Sequence, residues 1–406
     1  DDGQGMDEND IRIAWMHVGK SNKDYEVFDA NHRQRILAGS KGVGRFALAR
    51  LGTHVVIHTK KESCVGMVWE TDWNSSSMRQ DSAQMSTGTT ITITGLREKW
   101  GKKKIENLVG FLSKTYNDKA MSISIAHPNF SGEIPSYFPD PVLGVNCLSS
   151  IAISYNSREK ILHTVIDSDE FLDSARRYCP DINLQKKESN VDIVAELNGS
   201  SDYDMTEEQL GDFSGNFFFY IKPSSIDCEK FLYKHHGLPN PMPGGVILYR
   251  NAFSISAYEG KKDWLGFGKR SRKSPAAASH PTGAWRVREN QISGKVEIDK
   301  KCNEVLLDLS NRQGLDENIY YLLFVDIILL GIKEFERYRQ DIVRHIDAKN
   351  EFVVVPAKTP VSDKVVQNPK SIPTLTEREA KQLADEIKNY RQESQDARQE
   401  RTTVED

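Results

Sequence analysis

Asp1-Asp2-Gly3-Gln4-Gly5-Met6 opens the chain, and the fold is read outward from this stretch and two others that follow it. They are Gly39-Ser40-Lys41-Gly42-Val43-Gly44-Arg45, leading into a short apolar run, and Gly88-Thr89-Thr90-Ile91, entering a β-rich one. The first places a carboxylate before a turn whose glycines let a flat ligand come close. A carboxylate accepts a hydrogen bond from an exocyclic amine such as adenine's, and a site built on that bond rejects bases lacking it. Alone, D-x-G-x-G is common in turns. The second stretch suits phosphate, because glycines let backbone N–H groups converge and a helix N-terminus adds partial positive charge. Its order, G-x-x-G-x-G, is not the dinucleotide fingerprint, and no strand leads directly into it. Nor is there a Walker A loop: Gly19-Lys20-Ser21 copies its tail, but Ala14 stands where the first glycine belongs. In the third, a hydroxyl can reach the adenine edge.

The connecting residues carry their own signals. Asp7 is placed to cap a helix from Glu8 to Val18, with Ile11, Ala14, Trp15 and Val18 on one face. Trp15 and Met16 read as core. A polar stretch, Ser21 to Arg35, reads as a long loop, and Phe46 to Leu51 as a short helix. Strands are expected at Val55–His58, Met67–Glu70, Thr89–Thr94 and Met121–Ala126, with a helix from Lys103 to about Tyr116 before the last. Further on, Ile151–Tyr155, Phe217–Ile221, Val246–Tyr249 and Gly294–Ile298 read as strands. Ile319–Arg337 reads as a buried helix: Asp326 interrupts its apolar run, which falls short of the roughly 20 residues a membrane span needs.

In this order, and with these connections, the three stretches resemble the later motifs of the Bergerat-fold (GHKL) ATPases, the group of gyrase, Hsp90, MutL, histidine kinases and MORC. Val18-Gly19-Lys20-Ser21 and the Gly39–Gly44 loop are most similar to Hsp90, and the likeness covers about the first 125 residues. It implies ATP and Mg2+ as ligands. Asp1 would read adenine, with Gly3, Gly5 and Met6 shaping its pocket. Lys20 and Ser21 would lie near the ribose and phosphates. Backbone groups from Gly39 and Lys41 through Gly42, Val43, Gly44 and Arg45 would hold the phosphates, and Thr89 would support the Asp1–adenine network. The family's E-x-x-x-N helix, with its general-base Glu and Mg2+-binding Asn, lies upstream of the aspartate. The sequence starts at Asp1, not Met, so the expectation is an ATPase in the parent protein and little or no hydrolysis by this chain alone.

Leu307-Asp308-Leu309-Ser310-Asn311-Arg312-Gln313-Gly314-Leu315 resembles the Hsp90 middle-domain loop whose arginine reaches the γ-phosphate, which makes Arg312 the matching position. An arginine from a neighbouring domain offers bidentate contacts to developing phosphate charge. The other reading has Arg312 capping a turn or pairing with Asp308 or Glu317. The expected fold is α/β, an α+β sandwich. Residues 1–129 form the ATP-binding domain and 130–350 a ribosomal-S5-like transducer. Residues 351–373 are a Pro-bearing linker, and 374–406 a helical, coiled-coil-like tail. Lys269-Arg270-Ser271-Arg272-Lys273 opens a basic loop running to Pro281. With Trp264, Phe267 and Trp285 nearby, it reads as a solvated surface or a nucleic-acid contact.

Composition sets the outer bounds. The 406 residues are 38% hydrophobic and 28% charged, with a formal net charge of -4, which argues against nucleic-acid binding by the whole surface. The five cysteines, Cys64, Cys147, Cys179, Cys228 and Cys302, show no paired spacing, and a reducing cytoplasm is the expected setting. His17, His32, His54 and His58 show no metal-ligand spacing. The resulting expectation is an ATP-driven conformational switch with a lid at about Ser21 to Ala38. It would work as a homodimer on a client protein or DNA, without a membrane. The alternative is a signalling or scaffold protein that binds nucleotide without turnover.

Overall fold

The computed structural model describes residues 1–17, 26–28, 34–36, 46–81, 86–117, 122–197, 210–274, 286–309 and 314–349, together with scattered helical positions from 381 to 389. Lys20, Ser21, Gly39, Lys41, Gly42, Val43, Gly44, Arg45 and Arg312 lie outside them, as does the linker. The chain divides into two compact units, Asp1–Lys349 and Asn350–Asp406.

Within the first unit the chain builds two principal sheets. The opening helix is shorter than its apolar spacing predicts. α1 (Glu8–Asp10) passes into a π-helical segment, Ile11–Trp15, that ends before the expected Val18. The predicted cap holds: Asp7 accepts from Asp10 N–H at 2.8 Å, and Asp10 accepts from Asp7 N–H at 3.1 Å, the reciprocal arrangement of a capping box. The stretch expected as an unbroken loop instead contains an antiparallel pair, β1 (Glu26–Phe28) and β2 (Gln34–Ile36). After α2 (Ala47–Leu51) come β3 (Gly52–Lys60), β4 (Met67–Thr71), β5 (Ser76–Gln80) and β6 (Gly88–Leu96), an antiparallel sheet in the order β5-β4-β3-β6. Strand alternation turns Val55, Ile57 and Thr59 of β3 inward, where the two apolar ones join Ile11, Met67 and Trp69 in a small core. Trp15 packs edge-on against Trp69 at the border of this core, whereas Met16, also read as core, is exposed where the short helix ends.

α3 (Lys102–Thr115) follows, then a hairpin of β7 (Ser124–His127) and β8 (Phe130–Glu133). The expected junction between residues 129 and 130 falls at the turn of this hairpin. The larger sheet contains β9 (Ser149–Asn156), β10 (Ile161–Ser168), β11 (Lys186–Asp192), β12 (Phe213–Phe219), β13 (Gly245–Arg250), β14 (Phe253–Glu259) and β15 (Ile292–Ile298). Its order is β11-β10-β9-β12-β15-β13-β14, with β13 and β15 parallel and the other neighbours antiparallel. Short helices α4 (Ile193–Leu197), α5 (Ser225–Phe231) and α6 (Phe267–Arg272) lie between strands. α7 (Ile319–Lys349) runs past the expected Arg337 and packs on β9, β10 and β11. Its Phe324, Ile327, Ile328, Ile332 and Phe335 are fully buried at helical spacing, and Gly331 lets it close on Ile153. No helix among the described residues is long and apolar enough to cross a membrane.

Candidate functional site

The opening segment reaches the four-stranded sheet where β3 ends and β6 begins. Asp1 pairs with Thr89 through two main-chain hydrogen bonds: its main-chain nitrogen donates to Thr89 O at 2.8 Å, and Thr89 N–H donates to Asp1 O at 3.0 Å. The Asp1 carboxylate accepts from Gly3 N–H at 3.0 Å, which fixes the side chain at the start of the turn. Gly5 and Gly88 are both needed for this approach. Each has a positive φ, 65° and 137° respectively. A Cβ on Gly5 would stand 1.9 Å from Lys60 O, and one on Gly88 would stand 2.3 Å from Asp1 O. Met6 is half-buried against the small core.

The residue that sequence reasoning missed is Thr59. It ends the inward stripe of β3, lies opposite Thr89 in the β3–β6 register, and is fully buried. Its hydroxyl accepts from Met6 N–H at 2.8 Å, donates to Gly88 O at 3.2 Å, and lies 3.0 Å from the Thr89 hydroxyl. One buried Oγ thus joins the opening turn to the Gly88-Thr89 strand. The alternation Val55, Ile57, Thr59 carries the signal: a hydroxyl at an inward position needs partners. Lys61 closes the other side, bridging Asp7 at 3.2 Å and Asp10 at 2.9 Å. The Asp7 carboxyl is held below its ordinary range, first by the Asp10 N–H and then by Lys61, against the opposing effect of burial.

Asp1, Gly3, Gly5, Met6 and Thr89 are therefore brought together, while the phosphate-loop and Lys20-Ser21 candidates lie outside the described residues. The Asp1 carboxylate is exposed, the Thr59 hydroxyl is fully buried, and Gly5 and Gly88 let the opening segment come close to the sheet. Among the described residues no group of His, Cys, Asp or Glu side chains is placed to hold a metal ion.

The basic run is not a loop. Asp263 accepts from Phe267 N–H at 2.9 Å and Gly268 N–H at 2.7 Å, which starts α6 across the run. Arg270 turns inward and makes a bidentate pair, at 2.7 and 2.6 Å, with the fully buried Glu336 of α7. Trp264 donates to Val246 O and stacks on Phe324, and Phe267 is buried, so neither ring is available for base stacking. Lys269, Arg272 and Lys273 remain exposed.

Before the Arg312 segment, Asp308 is bound by Arg250 at 2.5 Å; Arg312 itself lies outside the described residues. No match is found among curated proteins. Residues 1–100 match the family of histidine kinase-, DNA gyrase B- and HSP90-like ATPases, which supports a GHKL-type ATPase domain in this part of the chain and, with it, ATP binding in general.

Proposed function

We propose that the chain binds ATP with the Asp1 carboxylate on the adenine amine, and that it is the nucleotide-responsive part of an Hsp90-like or MORC-like switch. The observation that carries this reading is the Asp1–Thr89 main-chain pair, set at two glycines that admit no side chain and tied by the Thr59 hydroxyl. Such a frame holds one exposed carboxylate at a fixed place, which an amine donor can use. The lid at 21–38 closes over bound nucleotide, and the Gly39–Arg45 loop holds its phosphates. Arg312, from the segment after the larger sheet, contacts the γ-phosphate and makes the response depend on domain docking. Mg2+ supplies charge neutralisation at the phosphates when bound. Two copies clamp through their nucleotide segments in the cytoplasm, with a client protein or DNA as the held partner.

The test is calorimetric titration of ATP against the chain and against its Asp1→Asn variant. An amide can present its NH2 to the adenine amine and loses the charge-assisted bond, so affinity is expected to fall at least about tenfold. Binding by the parent protein without turnover would assign it to the scaffold class.

A further inference from the structure

Stretches that are far apart in the sequence meet at α6, and one buried carboxylate joins them. Glu336 of α7 is fully buried. Besides the bidentate Arg270 pair, it lies 3.4 Å from an Arg286 nitrogen and accepts from Val287 N–H at 2.8 Å. Residues 286–290 are thereby held beside α6: a Cβ on Gly268 of that helix would stand 2.5 Å from a Glu289 carboxylate oxygen. On the other side, Asp263 starts α6 with both of its oxygens, so Lys261 and Lys262 stand just before the helix. Lys261, Lys262, Phe267 and Glu289 line one cavity of about 200 Å3.

The outer side of this arrangement is cationic. Lys261, Lys262, Lys269, Arg272, Lys273 and Arg288 are all exposed, and none of the six is in an ion pair among the described residues. Of the carboxylates beside them, Glu336 is neutralised by Arg270 and Arg286, and Asp263 is turned onto two main-chain N–H groups, which leaves Glu289. By contrast, Lys61, Lys104 and Lys186 each meet a carboxylate: Asp10, Glu98 and Glu188. Like charges gathered without counterions repel one another, and in a chain of formal net charge -4 they make a local attractor for an anion. The neighbouring rings decide which kind. Single-stranded nucleic acid is held by aromatic side chains on which bases stack. Trp264 is turned onto Val246 O and Phe324, and Phe267 is buried, so the patch offers charge without a stacking platform. A duplex backbone, with one negative charge per about 1.7 Å of its axis, needs charge alone.

We infer that α6, together with Lys261, Lys262 and Arg288, is a contact surface for the phosphate backbone of a nucleic-acid duplex, without base readout. Nucleic acid is thereby chosen over a client protein as the held partner of the clamp proposed above, and the contact rests on that reading only for its purpose. Arg270 does not touch the duplex. It is the positioning residue of the surface, since its pair with Glu336 turns the helix so that Lys269, Arg272 and Lys273 face outward.

The experiment is fluorescence anisotropy of a mixed-sequence DNA duplex titrated with the full chain, without nucleotide, from about 50 to about 200 mM salt. Each phosphate contact adds about -0.9 to the slope of log affinity against log salt. Six cations therefore predict a slope of up to about -5 and a loss of about a thousandfold across that range. Arg272→Ala with Lys273→Ala should make the slope shallower by about 2, equally for two unrelated duplex sequences. Lys104→Ala with Lys186→Ala, outside the patch, should change neither slope nor affinity. A single strand of the same length should bind more weakly than the duplex. If the Arg272/Lys273 variant does not fold, Lys261→Ala with Lys262→Ala, ahead of the helix, carries the same comparison. Absence of duplex binding at about 50 mM salt, a slope unchanged in the patch variants, or tighter binding of the single strand overturns the inference. Retention on phosphatidylserine vesicles that the duplex cannot displace overturns it in favour of a membrane surface. Because nucleotide is absent, failure here leaves the ATP reading standing, and failure of ATP binding leaves this surface standing.

Discussion

The two sheets of the first unit are held by different means. At the end of the small sheet, the Asp1 cluster depends on main-chain hydrogen bonds, two threonine hydroxyls and the absence of side chains at Gly5 and Gly88; Asp1 itself is exposed. Beneath α7, the larger sheet is held by charge in the interior. Arg339 Nε donates to both oxygens of Glu170, at 2.5 and 2.6 Å, its other nitrogen meets the Tyr233 hydroxyl at 3.0 Å, and the guanidinium lies over the Phe219 ring. Glu170 and Arg339 are 1% and 0% exposed. A buried pair of this kind adds little over well-packed apolar residues, but losing one partner is costly because a charge is left in the interior. One region is exposed at the edge of its sheet; the other is closed around a buried charge pair.

Removing the buried guanidinium gives the largest expected effect. Arg339→Ala should destabilise the fold by about 3–5 kcal/mol in urea unfolding, since Glu170 loses its ion pair and the Tyr233 hydroxyl loses the N–H that donates to it. A cost below about 1 kcal/mol would mean that the platform does not depend on this pair. Gly88→Ala comes next. Its Cβ cannot fit 2.3 Å from Asp1 O at a φ of 137° without moving the opening segment. The expected cost is about 1–3 kcal/mol, together with lost ATP binding and an unfolding transition of the larger sheet that is unchanged by comparison with Arg339→Ala. The smallest effect is set by pH. The Asp7 carboxyl, held below its ordinary value of 3.8, contributes stability that is fully present above that value and lost as pH falls through the depressed folded pKa. Following that carboxyl by NMR between pH 5 and 2 (about the range in which an aspartate titrates) should give a midpoint below the ordinary one. A midpoint above it would separate Asp7 from Asp10 N–H and Lys61.

The parts legible in the sequence were those with a hydrophobic period or an obligatory backbone residue. Val55 to His58, Met67 to Glu70 and Lys103 to Tyr116 announce strands and a helix that the structure places within a few residues. Asp7 announces its cap. β5 (Ser76–Gln80) and β11 (Lys186–Asp192) were illegible because they are edge strands built from polar and charged residues, with little apolar alternation to read. β10 hides for a related reason: its inward positions are Leu162, Thr164, Ile166 and Ser168, half of them polar. α6 was missed because Lys269 to Lys273 reads as solvated charge until Arg270 is seen turned onto Glu336, a partner 66 positions away. At the candidate site Asp1, Gly5 and Thr89 were singled out through the resemblance to the GHKL ATPases, and they lie together in the structure. For Thr59 the alternation with Val55 and Ile57 marks only an inward hydroxyl; its partner follows from standing opposite Thr89 across two strands. The same limit applied to Asp308, whose partner Arg250 lies 58 positions earlier.

The most direct test of the account is one titration series, with ATP and ITP each added to the chain and to its Asp1→Asn variant. ITP carries a carbonyl where adenine carries its amine, so the carboxylate that favours ATP has no donor to accept from. The account predicts that the chain prefers ATP by at least about tenfold and that Asp1→Asn removes most of that preference. Equal affinity for ATP and ITP, or a preference that survives Asp1→Asn, would contradict it.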